Sequence, residues 1–171
     1  MRQPQVALIT PEATAIAVVD DLALFFHLLG ALLFVAGIVL AGAAFEVARR
    51  RERPSEIALL LGLTRIGVVL VGIGTLLLIA FGIWLVQLEH LSYATGWIST
   101  SIALYTVALG LGAVGARRPK QARRLATTLA SENASPRAEL HSLLNDPVSR
   151  AANYSSAGLV VAILVLMVFK P

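Results

Sequence analysis

Any chemistry in this chain has to come from a few residues. Three histidines, His27, His90 and His141, stand among 171 residues that include no cysteine. Without Cys, thiolate metal sites, iron–sulfur clusters, covalently attached haem, disulfides and a Cys nucleophile are all excluded. Neutral imidazole is the commonest metal ligand and a common ligand of haem iron. His27 and His90 are therefore candidate ligands of one b-type haem, or of copper or another cation. Asp20, Asp21 and Glu89 could gather a cation beside them. No Walker loop, His-Glu-x-x-His or nucleophile elbow occurs, so no residue is assigned to catalysis and a hydrolase or transferase is disfavoured. The other chemistry is charge. Arg117, Arg118, Lys120, Arg123 and Arg124 crowd one short stretch and could face acidic lipid or a partner protein.

Each of these features also has a structural reading. A His near a helix end can hydrogen-bond a neighbouring helix or face interfacial water. Surface acids are ordinarily just solvated, and a basic loop can do no more than cap a bundle and fix its topology.

The elements that must position these residues are membrane spans. The chain is 57% hydrophobic and 14% charged, with mean hydropathy +0.80, against about 45–50% and about 25% in soluble domains. Intrinsic disorder is excluded. No soluble domain with a basic face is evident, so nucleic acid is not an expected partner. Four apolar segments, 22–45, 57–88, 97–116 and 151–169, approach or exceed the roughly 20 residues that a spanning helix needs. They predict an all-α membrane protein, a four-transmembrane-helix bundle of residues 22–171 preceded by an outer segment 1–21. Thr10-Pro11-Glu12 reads as a helix start rather than part of a secretory leader, so a short helix over 11–19 leads into or continues the first span. The second segment is too long for a core of about 30 Å, so its first turns project and Arg65 snorkels at the interface, within reach of Glu46 or Glu56.

Charge sets the orientation. Twelve of the 14 Lys and Arg residues fall in the first and third connections or at Arg65, and the loop 87–96 has none. The positive-inside rule then predicts both termini outside and both basic loops in the cytoplasm of a bacterial inner-membrane, multi-pass protein, with Trp84, Tyr93 and Trp97 at the outer interface. In the cytoplasmic loop 117–150, residues 119–130 and a second stretch opening at Ser135-Pro136 predict two amphipathic helices on the membrane surface, the second ended by Asn145-Asp146-Pro147. Asn133 and Asn153 match the glycosylation pattern but fall on the cytoplasmic side.

Small residues recur in every span: Gly30 and Gly37; Gly67 and Gly74, seven apart and so on one face; Ala108, Gly112 and Ala116; Gly158 and Ala162. They predict close packing within the bundle, or a homodimer seam.

His27-Leu28-Leu29-Gly30, followed by Gly37, and the closing Leu166-Met167-Val168-Phe169-Lys170-Pro171 resemble a family of small bacterial predicted integral membrane proteins of unknown function. That family is similar to the group holding copper-resistance protein D and the bacterial membrane protoporphyrinogen oxidase. The resemblance implies haem ligation by His27 alone. The expected function is a small accessory membrane protein binding one b-type haem. The alternatives are a cofactor-free interaction protein whose basic loop recruits a partner or lipid, and a copper- or cation-handling protein.

Overall fold

The computed structural model describes residues 11–132 and 138–169. They form helices α1 (Pro11–Arg49), α2 (Pro54–Leu88), α3 (Gly96–Gly115), α4 (Arg117–Ser131), α5 (Ala138–Leu144) and α6 (Pro147–Phe169). Proline opens α1, α2 and α6, where its missing N–H costs nothing and its fixed φ is already helical. Before Pro54, Arg53 is extended at φ −78° and ψ 125°, as the proline ring requires. Between these openings the spans contain no proline, so nothing breaks their hydrogen-bond ladders.

The first expected span and the short helix before it are one continuous helix. The fourth begins at Pro147, ahead of its apolar run. Asp146 accepts the Ser149 backbone N–H at 2.8 Å and caps α6. Asp146-Pro147 therefore starts the last span as well as ending α5. The expected start of α5 at Ser135-Pro136 lies outside the described residues.

α1 and α2 pair as an antiparallel hairpin through two glycine pairs. A β-carbon on Gly37 would lie 2.6 Å from the Gly67 carbonyl oxygen, and one on Gly67 would lie 2.7 Å from that of Gly37. One on Gly74 would lie 2.7 Å from the Gly30 carbonyl oxygen. Both pairs are spaced seven residues, two helical turns, so they lie on one seam. There the backbones touch directly, as small residues permit in lipid.

α3 and α6 pair by side-chain to backbone hydrogen bonds. The Ser156 hydroxyl donates to the Ala108 carbonyl at 2.8 Å, and Asn153 Nδ2 to that of Gly115 at 3.5 Å. The expected stripe of Gly158 and Ala162 is exposed instead, with nothing within 4 Å of a β-carbon built on Gly158. Buried Phe34, Ala108 and Val160, with Tyr105, Leu109, Val71 and Leu78 around them, join the two pairs at mid-span.

A second core lies at the basic end. Phe45 and Ala48 of α1 and Ile57 and Leu61 of α2 bury Ala122, Ala126 and Leu129 of α4 and Leu140 and Leu144 of α5. The four leucines are fully buried, each stabilising by about 1.5–3 kcal/mol. The apolar faces of both loop helices are thus taken up by protein rather than turned into the bilayer. α2 can carry this cap because its 35 residues reach about 52 Å. From Arg65 to Trp84 is about 29 Å of rise, close to the hydrocarbon thickness of about 30 Å.

Candidate functional site

Two places hold the residues singled out by type. The first is the layer of the α1–α2 hairpin beyond Gly30. His27 lies between the helices, with Nδ1 buried and without a hydrogen-bond partner and the backbone of Leu78 as its polar neighbour. The ring fills the space that Gly82 leaves: a β-carbon there would meet Cε1 at 3.1 Å and Nδ1 at 3.3 Å. Phe26 stacks on Phe81 at 4.8 Å, and Phe81 on Trp84 at 5.8 Å. The His27 ring is therefore enclosed against α2, in the same part of the hairpin as this aromatic stack.

His90 is elsewhere. It is exposed, in the turn after α2, with φ 51°. Its N–H donates to the Gln87 carbonyl and that of Leu91 to the Val86 carbonyl, the paired bonds of a Schellman cap with His90 as the left-handed residue. His90 follows Gly82, which touches His27, by eight residues, about 12 Å along a helix. Two nitrogens ligating one ion at about 2 Å each must lie within about 4 Å of each other. The fold does not bring these two histidines together around one iron or copper. Of the two histidines, His27 is the one enclosed by the fold and the one that would hold a haem iron if the chain bound one. His141 is in α5 at the basic end.

The acidic residues diverge too. Asp20 has one carboxylate oxygen buried without a partner, whereas Asp21 and Glu89 are exposed. Among the described residues, no group of three or more His, Asp and Glu side chains is placed to hold a metal ion. Sequence reading passed over the buried hydroxyls of Ser101, which has no partner, and of Tyr105, which lies against Thr75. The only signal was their polarity within an apolar helix. It also read Asn153 as part of a surface motif, when its side chain lies against Gly115 in the α3–α6 seam.

The second place is the basic end, and here the charges divide. Arg49 and Arg50 pair with Glu46 at 2.6 and 3.4 Å. Arg51 and Arg53 each stand 3.8 Å from Glu56. Arg118 stands 3.9 Å from Asp146. The Ser149 backbone N–H, then its hydroxyl, hold the Asp146 carboxyl below the usual carboxylate range, with Arg118 adding to the effect. Glu46 and Glu56 are thus committed to the arginines at the first connection, not to Arg65. On α4, Pro119, Ala122, Ala126 and Leu129 are buried, and the other face presents Arg117, Lys120, Gln121 and Arg124, all exposed. These four line a shallow depression of about 270 Å³. Arg123 is half-buried, outside it.

Four helices long and apolar enough to cross a bilayer, packed at mid-span and capped by two short helices, define an integral membrane protein of the helical-bundle class. The chain belongs to the family described as predicted integral membrane protein (DUF2269), whose model matches residues 21–171. No curated protein and no solved structure matches it.

Proposed function

We propose that this is a non-catalytic accessory protein of the bacterial inner membrane, with both termini outside, whose α4–α5 platform presents a basic docking face to the cytoplasm. The positive-inside rule supports that orientation. One observation carries the docking role. The arginines of the first connection and Arg118 have acidic partners, whereas no ion pair is found at Arg117, Lys120 or Arg124 among the described residues, and all three are exposed on one helix face. A cap that served only packing would not need three uncompensated cations there. The test is native electrophoresis of membranes solubilised in mild detergent, comparing the natural chain with the combined Arg117→Glu, Lys120→Glu and Arg124→Glu variant. Loss of a larger assembly in the variant is expected. Identical migration of the two chains would overturn the docking role.

A second reading, one b-type haem held by His27, is favoured by the buried, unpaired Nδ1. The haem would supply one-electron chemistry, and the chain would supply the ligand. Oxidised and dithionite-reduced spectra of haem-supplemented protein test it. A Soret band lost in His27→Ala and kept in His90→Ala is expected, and a featureless spectrum from folded protein would rule it out.

A further inference from the structure

We infer that the depression on α4 binds the phosphate-bearing headgroup of an anionic phospholipid, through Arg117, Lys120, Gln121 and Arg124. This deepens the docking reading and rests on it. Depth is the first support. α3 spans 20 residues, about 30 Å, so the residues after it emerge at headgroup level on the basic side. Arg117 opens α4 there, one residue past the end of α3.

Chemistry is the second support. Two guanidinium forks can grip phosphate oxygens in bidentate fashion. The Lys120 ammonium adds a compact point charge, and the Gln121 amide offers a neutral donor for an ester or glycerol oxygen. Positions 117, 120, 121 and 124 follow the i, i+3, i+4, i+7 spacing that places side chains on one helix face. No acid pairs with these cations among the described residues, so an arriving anion displaces no internal partner.

Size is the third. At about 270 Å³ the depression falls just below the roughly 300–1,000 Å³ typical of small-molecule sites. It suits a headgroup whose acyl chains remain in the bilayer. The opposite face of the same helix is buried in the cap core, which holds the four side chains on a fixed platform.

The experiment uses full-length, delipidated protein in a non-ionic detergent. Phosphatidylglycerol, phosphatidylcholine and inorganic phosphate are titrated separately, with bound lipid counted by native mass spectrometry and stability followed by thermal melting. Each basic side chain near an anionic surface is worth about fivefold in affinity. The combined Arg117→Gln, Lys120→Gln and Arg124→Gln variant should therefore lose at least about tenfold for phosphatidylglycerol. A matched loss of charge, Arg50→Gln with Arg51→Gln and Arg53→Gln, should leave it within about twofold, since that block is already paired. All six substituted positions are charged surface sites, and the melting curve in phosphatidylcholine confirms that each variant is folded. Lys120→Gln alone should give an intermediate loss if the combined variant does not fold.

Equal losses in the two combined variants would show a response to net charge and overturn the site. Binding of inorganic phosphate without phosphatidylglycerol would assign it to a free anion and overturn the lipid. Competition of phosphate with phosphatidylglycerol would support the shared chemistry. If the charge-reversed variant loses its native assembly while phosphatidylglycerol binding is unchanged, the lipid inference fails and the docking role stands.

Discussion

Gly82 of α2 faces the imidazole of His27 of α1, and the ring lies where a side chain would otherwise be: a β-carbon on Gly82 would come within 3.1 Å of Cε1. The two residues fill one space between the helices. Gly82→Ala requires the ring to shift by a few tenths of an ångström and should destabilise the hairpin by about 1 kcal/mol, the low end of the cost of overpacking. The same change made in His27→Ala should cost much less. Thermal melting of both single variants and the double variant in detergent measures the coupling. Additive effects would show that the residues do not share the space.

The glycine pairs offer a sharper contrast. Gly37→Ala forces a methyl to within 2.6 Å of the Gly67 carbonyl oxygen. Because that neighbour is backbone, the helices must separate, with an expected loss at the upper end of about 1–3 kcal/mol. Gly72 has nothing within 4 Å of its β-carbon position. Gly72→Ala should stabilise α2 by about 0.5–1 kcal/mol through helix propensity alone. Melting temperatures that move in opposite directions for the two substitutions would bear this out.

His90 holds a left-handed backbone conformation, φ 51°, which is strained for any residue with a β-carbon. His90→Gly should keep the Schellman bonds and raise stability by about 1 kcal/mol. A fall in melting temperature would mean that the imidazole itself is used.

Asp146 ties stability to acid. Its folded carboxyl lies below the usual carboxylate range because Ser149 donates to the charged form. The lowered value means that its contribution is fully present above about pH 4 and is lost as pH falls through the folded value. Asp146→Asn keeps a capping oxygen but cannot titrate. The variant should therefore lose less stability than the natural chain between about pH 5 and pH 2. Melting curves at a series of pH values would show the gap between the two chains narrowing toward the acid end. A constant gap would refute it.

The four spans were legible because the bilayer acts strongly on composition. A stretch of about 20 apolar residues has one stable state there, a helix with its backbone satisfied internally. The spacing of Gly67 and Gly74 likewise announced a close-packed face, since a seven-residue repeat keeps residues on one side of any helix. Gly158 and Ala162 carried the same kind of signal and lie on an open face. A small-residue stripe says that a helix could be approached, and only the fold says whether one comes.

The sequence by itself determined the number of spans, the segregation of charge to one end and the residue types available for chemistry. Those follow from local composition and hydropathy. Tertiary structure alone decided which of those residues meet. His27 and His90 lie toward the same end of the α1–α2 hairpin, yet about two helical turns apart, because the glycine pairs set the register of α2 on α1 and His90 is used to stop the helix. Arg117, Lys120 and Arg124 look like Arg50 or Arg53 in sequence. They differ because α1 and α2 fold their acids back onto the first connection, and α4 turns its apolar face into the cap. Pairing between residues far apart in the chain is a property of distance in space, which no local pattern of types records.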